Sequence, residues 1–355
     1  MTNPTVRIGD RLLGGTSPVF VIAEAGVNHN GDVRLALDLV DAAAQAGADA
    51  VKFQAYVTEQ LITARAEKAG YQVATTGSAG SQYDMLKAIE LGPDAHAALA
   101  ARCHDRNVLY LCTPYDEPSV ELLERLGVAA FKIASTDTTN VPLLRRITAR
   151  PRPVLLSTGM STQAEVETAV QTLKAGGLEG QIVLLQCTSE YPAPVQDVNL
   201  KAIGTLSDAF GCPVGFSDHT EGIEVAPWAV AAGACTIEKH MTLDRTLPGP
   251  DHRASLEPMA FASLVTAIRR VEQALGDGVK QPMPSEHGNR MVMRKSLVVR
   301  RPVQAGHVFD ADDLTCKRPA GGLEPSWFDR VVGQVAAVDL DEDDAITLES
   351  VRWDR

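Results

Sequence analysis

The sequence predicts a (β/α)₈ barrel followed by a small β-rich domain. Eight short apolar runs rich in Val, Ile and Leu alternate with amphipathic helix patterns between residues 19 and 275. Strands that are apolar almost throughout and alternate with helices belong to parallel sheets buried on both faces. Eight such units fit a closed barrel better than an open doubly wound sheet. No GxGxxG motif follows the first strand, which disfavours a dinucleotide-binding fold.

The eight predicted strands share β-branched and leucine-rich sequences. They are VFVIAEAG (19–26), AVKFQAY (50–56), VLYLCTP (108–114), AFKIAST (130–136), PVLLSTG (153–159), IVLLQCTS (182–189), PVGFSDH (213–219) and CTIEKHM (235–241). Between them, patterns such as VRLALDLVDAAAQAG and QAEVETAVQTLKAGG predict helices. Residues 57–91, after the second strand, read as an irregular loop containing TTGSAGSQ. A loop of this length usually covers an active site or contacts another subunit, with a surface insertion as the alternative.

The barrel rhythm ends after a last predicted helix at 258–275. The following segment is polar and rich in Gly and Pro, which is typical of a linker. From about Met293 the chain becomes a series of short strands separated by turns such as QAG and DEDD. We therefore predict a barrel over 1–276, a linker over 277–292 and a small domain over 293–355. A unit of that size is marginal alone, so we expect it to dock on the barrel or on a partner subunit.

Composition narrows the class of protein. A net charge of −12 argues against a nucleic-acid surface, which would carry a basic stripe. The six cysteines are scattered without a CxxC pair, so we expect reduced thiols and a cytoplasmic location. The N-terminus has no apolar signal core and no run is long enough to span a bilayer, so we expect no membrane association.

Polar residues end almost every predicted strand. In a barrel of this kind the active site is built at the carboxyl ends of the strands, so these residues are the candidates. They are Glu24, Lys52, Gln54, Thr113, Lys132, Ser135, Ser157, Thr158, Thr188, Ser189, Ser217, His219, Glu238 and His240. Packing alone does not explain so regular a placement.

His219 and His240 end the seventh and eighth strands, which are neighbours in a barrel. Two imidazoles there, with the carboxylates of Asp218 and Glu238 close in sequence, are able to hold one divalent ion with open positions. Nitrogen and oxygen ligands suit Mn²⁺, Co²⁺ or Zn²⁺ better than Ca²⁺. The alternative is a pair of hydrogen-bonded histidines at the barrel rim.

Lys52 and Lys132 bring two cations to the same mouth. Together with the nearby hydroxyls they suit a ligand that carries both a phosphate and a carboxylate. Lys132 has a second functional interpretation, as a Schiff-base nucleophile. Glu24 lies inside an apolar strand, which is costly unless the carboxylate is used or paired. It either transfers a proton or serves as a buried partner for Lys52.

Four other histidines are not spaced in the sequence so as to share a metal ion or a catalytic site with another residue. We interpret His29, His96, His104 and His307, in loops or on helices, as solvated side chains.

Taken together, the motifs resemble the bacterial sialic acid synthase (N-acetylneuraminate synthase) family. They are IAEAGVNHNG, VKFQ, FKIAST, LSTGM, LQCTSEYPAP, GFSDHT, IEKHMTLDR and PGPDHRASLEP, in the expected order. The resemblance continues into a C-terminal domain similar to type III antifreeze protein, an SAF domain, through RKSLVV and VFDADDLTCKRPAGG. It covers nearly the whole chain, and GFSDHT with IEKHMT is its most specific part.

The resemblance implies roles for individual residues. Catalytic roles fall on Glu24, Lys52, Lys132 and Asp137, the last standing where some members carry Glu. Substrate binding falls on Gln54, Thr113, Ser135, Ser157, Ser189, Tyr191, Ser217, Asp251 and Arg318. The implied metal ligands are His219 and His240, with Mn²⁺ typical and Co²⁺ or Mg²⁺ as alternatives. Arg318 matches an arginine that reaches the other subunit's active site, which implies a domain-swapped homodimer.

The resemblance also implies the reaction. Members condense phosphoenolpyruvate with N-acetylmannosamine or a related 2-acetamido sugar, giving a nine-carbon acid and phosphate. The segment GPDHRASLEP resembles both members acting on N-acetylmannosamine and members making N,N'-diacetyllegionaminate from a 2,4-diacetamido-trideoxy sugar. Our first expectation is N-acetylneuraminate synthesis, with the legionaminate reaction as the alternative. More distant rivals are a Schiff-base aldolase using Lys132 and a carbohydrate-binding or ice-binding protein.

Overall fold

The computed structural model describes residues 4–353. Contacts between residues divide the chain into two units, the first ending at Gly276 and the second beginning at Asp277. No helix among residues 4–353 combines the length and apolar character needed to cross a membrane.

The first unit is a parallel eight-stranded barrel, as the sequence predicted. A short antiparallel hairpin, β1 and β2, precedes the barrel strands. The strands are β1 Thr5–Ile8, β2 Arg11–Gly14, β3 Phe20–Gly26, β4 Ala50–Ala55, β5 Leu109–Pro114, β6 Phe131–Ile133, β7 Val154–Ser157, β8 Ile182–Cys187, β9 Val214–Asp218 and β10 Thr236–His240. The hydrogen-bonded order runs β5-β4-β3-β10-β9-β8-β7-β6, and β5 lies beside β6, so the sheet is nearly closed.

Helices surround this sheet. Those of the first unit are α1 Val33–Gln45, α2 Thr58–Leu61, α3 Gly70–Thr76, α4 Gln82–Ala88, α5 Pro93–Asp105, α6 Glu117–Leu126, α7 Val141–Thr148, α8 Gln163–Ala175, α9 Ala202–Phe210, α10 Val225–Ala231 and α11 Pro258–Leu275. Their starts follow the expected local chemistry. In α8, for example, the hydroxyl of Thr162 and the carboxylate of Glu165 cap each other's backbone amides.

The two-residue period of the strands separates an outer core from an inner core. Outward residues such as Val21, Val51 and Phe53 pack in one cluster with the helices. Inward residues such as Phe20, Ile22 and Leu111 form a second cluster inside the barrel. The hairpin contributes Val6, Ile8 and Leu13 to that inner cluster, so it packs against the amino-terminal end of the barrel. This hairpin was not predicted.

Toward the carboxyl ends of the strands, the inward-facing side chains are polar. Along β3 the inward series is Phe20, Ile22 and Glu24, and along β10 it is Thr236, Glu238 and His240. Apolar side chains therefore fill one end of the barrel, and charged side chains line the other.

Residues 57–91 differ from the prediction because they are not an irregular loop. They fold into three short helices, α2, α3 and α4. The Gly- and Ser-rich stretch only joins α3 to α4, where Gly77 and Gly80 adopt positive φ angles of 76° and 74°. Contacts within the segment stabilise it, including the bond from Lys87 Nζ to Glu59 at 3.1 Å.

The second unit is small and β-rich. Its elements are α12 His287–Met293, β11 Ser296–Val299, β12 Leu314–Lys317, α13 Phe328–Val331, β13 Val335–Ala336 and β14 Val351–Arg352. Strands β11 and β12 pair antiparallel, as do β13 and β14, around a core that includes Leu297, Phe309 and Val331. The segment predicted as a linker contains helix α12 at its end.

Candidate active site

Four buried charged side chains meet at the carboxyl ends of the strands. Lys52 Nζ lies 2.9 Å from Glu24 Oε2 and 3.8 Å from Glu238 Oε1. Lys132 Nζ lies 3.5 Å from the same oxygen of Glu238. The Ser217 hydroxyl also donates to that oxygen at 3.0 Å, and Lys132 donates to Ser157 Oγ at 2.8 Å. One carboxylate oxygen therefore connects two ammonium groups and a hydroxyl.

The pairing explains how these charges remain buried. Burial penalises the charged forms, and an opposite charge nearby offsets that penalty. Burial raises the pKa of Glu24, with Glu238 adding to the rise and Lys52 opposing it. Although burial alone would raise it, the pKa of Glu238 is lowered because Lys132 and Lys52 stabilise its carboxylate. Burial lowers the pKa of Lys132, partly offset by Glu238. Glu24 is thus the carboxyl of this pair better suited to hold a proton.

The two predicted metal ligands lie side by side. The ring centroids of His219 and His240 are 5.4 Å apart, and the rings are inclined by 66°. Nδ1 of His219 lies 2.8 Å from the carbonyl oxygen of Thr188, which is able only to accept, so this nitrogen carries the proton. The lone pair of His219 is therefore on Nε2. Nδ1 of His240 is buried and has no hydrogen-bond partner among the described residues.

These observations fit a divalent ion bound by two imidazoles. A nitrogen ligand binds such an ion at about 2.1 Å, so two adjacent rings are able to reach one ion when both are neutral. Although burial alone would lower it, the pKa of His219 is raised by Cys187, the Thr188 carbonyl and Glu238, so ion binding would displace a proton from this ring. Burial lowers the pKa of His240 well below its ordinary value, with the neighbouring His219 and Lys52 adding to the effect. Among residues 4–353 no group of three or more His, Cys, Asp or Glu side chains is placed to hold a metal. The remaining positions would therefore go to substrate oxygens or water.

These residues open into one cavity of about 520 Å³. Glu238 lines it, as do twelve of the residues to which the resemblance gives a role. They are Glu24, Lys52, Gln54, Lys132, Ser135, Ser157, Ser189, Tyr191, Ser217, His219, His240 and Asp251. Burial, with repulsion from Glu24, raises the pKa of Asp251 to about 6.

Three residues to which the resemblance gives a role do not line this cavity, and neither do the strand-end candidates Thr158 and Thr188. Thr113 lies behind it, where its hydroxyl accepts from Lys52 Nζ at 3.3 Å. The carboxylate of Asp137 accepts instead from Asn140 at 2.9 Å. Arg318 is exposed on the second unit. Their assigned roles stay predictions.

Two expectations about neighbouring residues are wrong. Asp218 does not join the histidines, because successive side chains of a strand face opposite ways. It is buried with Lys239, whose Nζ lies 2.9 Å from Oδ2. His29 and His96 are buried rather than solvated, each 1% exposed, and burial lowers both pKa values to about 4. The burial of these histidines depends on contacts with residues distant in sequence, and the periodicity of the sequence does not reveal such contacts.

One wall of the cavity was not predicted from the sequence. Glu238 was predicted as a strand-end candidate and as a carboxylate near the metal, but its role in linking the two lysines was not predicted. The missed residues come mostly from the segment between β4 and α5. They include Leu61, Ile62, Tyr71, Gln72, Met85 and Leu86, joined by Tyr115 and Cys187. Most are apolar or aromatic, so this wall contrasts with the charged strand ends.

Gly159 fits closely among the hydroxyl groups. Its backbone amide donates to Ser135 Oγ at 3.0 Å. A Cβ atom at this position would collide with Ser189 Oγ and lie 2.8 Å from Ser135 Oγ. The absence of a side chain therefore keeps both hydroxyls at the cavity.

Known proteins are similar to this chain over most of its length. The NeuB family matches residues 39–280, and the SAF domain matches residues 294–352. The N,N'-diacetyllegionaminic acid synthase of Campylobacter jejuni subsp. jejuni serotype O:2 is 46% identical over 328 residues, covering 92% of this chain and 98% of that relative. The N,N'-diacetyllegionaminic acid synthase of Legionella pneumophila subsp. pneumophila is 44% identical over 335 residues, covering 94% of each.

A solved structure agrees with these matches. It is the crystal structure of N-acetylneuraminic acid (sialic acid) synthetase from Leptospira borgpetersenii serovar Hardjo-bovis in complex with citrate. Its TM-score is 0.72 at 39% identity, and the match covers 81% of this chain and 95% of that chain.

Proposed function

This chain belongs to the NeuB family, and we propose that it is an N,N'-diacetyllegionaminic acid synthase. It condenses phosphoenolpyruvate with a 2,4-diacetamido-2,4,6-trideoxy-mannose-type sugar, giving the nine-carbon acid and phosphate. The observation that carries the proposal is the single cavity in which Lys52, Lys132 and several hydroxyls lie beside the imidazole pair. One anion-binding region and one carbonyl-binding region thus meet at the same rim.

The anion end of the cavity suits phosphoenolpyruvate. Lys52 and Lys132 converge on one oxygen of Glu238, so their ammonium groups are held close together before any ligand arrives. Hydroxyls of Ser135, Ser157 and Ser217 surround them. Charge-assisted bonds from such donors fix a phosphate and a carboxylate in one orientation. The methylene carbon is then directed toward the neighbouring aldehyde.

The carbonyl end of the cavity lies at His219 and His240. We propose that these residues hold a divalent ion, Mn²⁺ in the first instance, with Co²⁺ or Mg²⁺ as alternatives. When bound, that ion supplies Lewis acidity toward the sugar carbonyl. The protein's own contribution is to orient His219 through the Thr188 carbonyl and to keep His240 neutral through burial.

Bond formation joins the methylene carbon of phosphoenolpyruvate to the aldehyde carbon of the open-chain sugar. The former enol carbon becomes cationic, water adds to it, and phosphate leaves with cleavage of the carbon–oxygen bond. The added water becomes the ketone oxygen and loses two protons, of which the new hydroxyl gains one and the departing phosphate gains the other. Glu24 is the preferred proton carrier, because burial raises its pKa and so favours its protonated form relative to an ordinary carboxyl. Dipoles of the surrounding hydroxyls stabilise the developing charge.

The apolar wall supports the diacetamido sugar over N-acetylmannosamine. Relative to N-acetylmannosamine, that sugar carries an acetamido group at C4 and a methyl group at C6 in place of two hydroxyls. Leu61, Ile62, Met85 and Leu86 offer a surface suited to such groups. The relatives at 46% and 44% identity carry the same substrate assignment. N-acetylmannosamine, our first expectation, stays a second candidate because of the Leptospira synthetase.

The assembly and location belong to the same proposal. Arg318 would complete the active site of a second copy, in a domain-swapped homodimer. All six cysteines are free thiols, which supports a reducing cytoplasm.

A sugar panel tests the proposal. The enzyme is incubated with phosphoenolpyruvate, Mn²⁺ and either the 2,4-diacetamido sugar or N-acetylmannosamine, while phosphate release and product mass are followed. We expect the diacetamido sugar to give the higher kcat/KM and a product with the mass of N,N'-diacetyllegionaminate. A higher kcat/KM with N-acetylmannosamine would transfer the assignment to N-acetylneuraminate synthesis. Trapping of a keto acid on Lys132 by borohydride would favour the aldolase.

A further inference from the structure

Tyr71 separates two cavities at the mouth of the barrel. It lines the 520 Å³ cavity of the active site and also a second cavity of about 250 Å³ beside it. Tyr191 and Pro250 line both as well. The second cavity continues outward past Arg245 and Arg253. The Tyr71 ring is therefore part of the wall that the two cavities share, and removing it would add free space to that wall.

A series of rings leads outward from the imidazole pair to Tyr71. The ring centroid of Tyr191 is 4.1 Å from that of His219, with the planes inclined by 31°. The ring of Tyr71 follows at 4.9 Å from Tyr191, inclined by 33°. If the sugar aldehyde lies at the histidines, an open six-carbon chain that follows these rings presents its far end to Tyr71. The atoms in question are C4 to C6, which distinguish the candidate sugars.

Local contacts hold the first turn of α3 in place. The side-chain oxygen of Gln72 accepts from the amide of Ala69 at 2.9 Å and from Gln82 Nε2 at 3.1 Å. Its amide group donates to the Tyr71 hydroxyl at 3.4 Å. Lys68 Nζ donates to the carbonyl of Ala79 at 2.7 Å, which ties the segment before α3 to the segment after it. These hydrogen bonds fix the turn that carries the Tyr71 ring.

We propose that Tyr71 is a specificity-determining residue that packs against the C4–C6 end of the sugar and limits the size of the acyl group accepted there. The ring closes the cavity with a flat apolar face, which suits an acetamido plane and a methyl group. A longer acyl chain extended toward Tyr71 meets this ring, and the second cavity lies on the other side of the shared wall. The identity of the sugar rests on the proposed function, whereas the position of Tyr71 as the end wall does not.

The test compares Tyr71→Ala and Tyr71→Phe with the unchanged enzyme. The substrates are the 2,4-diacetamido sugar and its analogue with a butanoyl group on the C4 nitrogen. For Tyr71→Ala we expect the KM of the natural sugar to rise about tenfold and the preference against the butanoyl analogue to fall about tenfold. The KM of phosphoenolpyruvate should change less than about twofold, since that ligand binds among the lysines. Tyr71→Phe keeps the ring and should therefore keep the preference against the butanoyl analogue.

Val73→Ala is the matched control in the same helix. Val73 is 39% exposed and lines neither cavity, so this variant should leave every parameter unchanged. An unchanged preference in Tyr71→Ala would overturn the proposal. An equal rise in the KM of the sugar and in the KM of phosphoenolpyruvate would also overturn it, because it would indicate a structural role. If the unchanged enzyme uses only N-acetylmannosamine, the proposed function fails by itself. The preference is then measured between that sugar and its 6-O-acetyl derivative.

Discussion

The ammonium group of Lys52 lies 2.9 Å from a carboxylate oxygen of Glu24, and the two residues face each other in the register of strands β3 and β4. Gln54 Nε2 donates to the other oxygen of Glu24 at 3.2 Å. The strand pairing alone brings these groups together, near the carboxyl ends of both strands. The pair is therefore fixed by the barrel before any substrate binds, and removing either partner should have a large effect.

Glu24→Gln should lower turnover by about 10²–10⁴-fold, the usual contribution of a positioned acid or base. The amide keeps the size of the side chain but does not carry a proton to or from the reacting atoms. Steady-state phosphate release measures the effect. If the variant keeps full turnover with sugar supplied in the open-chain form, ring opening is the task of Glu24. Full turnover with the cyclic sugar as well would show that Glu24 only pairs with Lys52.

Removal of divalent metal should abolish activity. His219 and His240 are the two imidazoles that would hold the ion, so turnover should vanish on chelation and return with Mn²⁺ or Co²⁺. His240→Ala should lose activity and also bind Mn²⁺ more weakly in a direct titration. A rate unaffected by the chelator would contradict the metal assignment.

Gly159→Ala should weaken phosphoenolpyruvate binding. The added Cβ would displace the hydroxyls of Ser135 and Ser189, so we expect the KM of phosphoenolpyruvate to rise about tenfold or more, the scale of one lost charge-assisted bond. Gly204→Ala is the matched control, since nothing lies within 4 Å of a Cβ there. It lies within helix α9 and should stabilise the protein slightly. Equal kinetic effects of the two changes would count against this account of Gly159.

Buried His96 should make the barrel sensitive to acid. Burial lowers its pKa from an ordinary value of 6.5 to about 4, so between these pH values the unfolded chain binds the extra proton and the folded chain does not. The free energy of unfolding therefore falls as pH falls through this window, by about 3 kcal/mol for this one group. Denaturant unfolding at a series of pH values measures it.

His96→Gln should flatten that dependence, while the amide is still able to bond the Tyr110 hydroxyl that His96 meets at 2.8 Å. His104→Gln on the exposed side of the same helix is the control and should keep the dependence of the unchanged protein. An unchanged slope in His96→Gln would mean that another group, such as His29, dominates the acid response.

Strand periodicity predicted the barrel and most of the site. In β10, for example, Glu238 and His240 alternate with outward residues, so their common direction follows from the sequence alone. The hairpin at Thr5–Ile8 and Arg11–Gly14 escaped prediction because four-residue strands carry too little pattern. The wall around Tyr71 escaped it because Gly- and Ser-rich composition obscured two short helices. The direction of Asp137 depends on its local bond with Asn140, which strand spacing does not encode.

Arg318 offers a test of assembly. If it completes the active site of a second copy, Arg318→Ala and His219→Ala should each be inactive alone. Mixed under conditions that exchange subunits, they should recover about a quarter of the activity, since one of the two sites in a mixed dimer keeps both residues. Activity that stays absent after proven exchange, or an active Arg318→Ala variant, would remove this role.

The most direct test of the central claim follows the bridging oxygen of phosphoenolpyruvate. The enzyme is given the diacetamido sugar, Mn²⁺ and phosphoenolpyruvate labelled with ¹⁸O between carbon and phosphorus, and both products are examined by mass spectrometry. We predict that all of the label appears in inorganic phosphate, one phosphate for each nine-carbon acid formed. Label retained in the acid, or acid formed without stoichiometric phosphate, would contradict the proposed condensation.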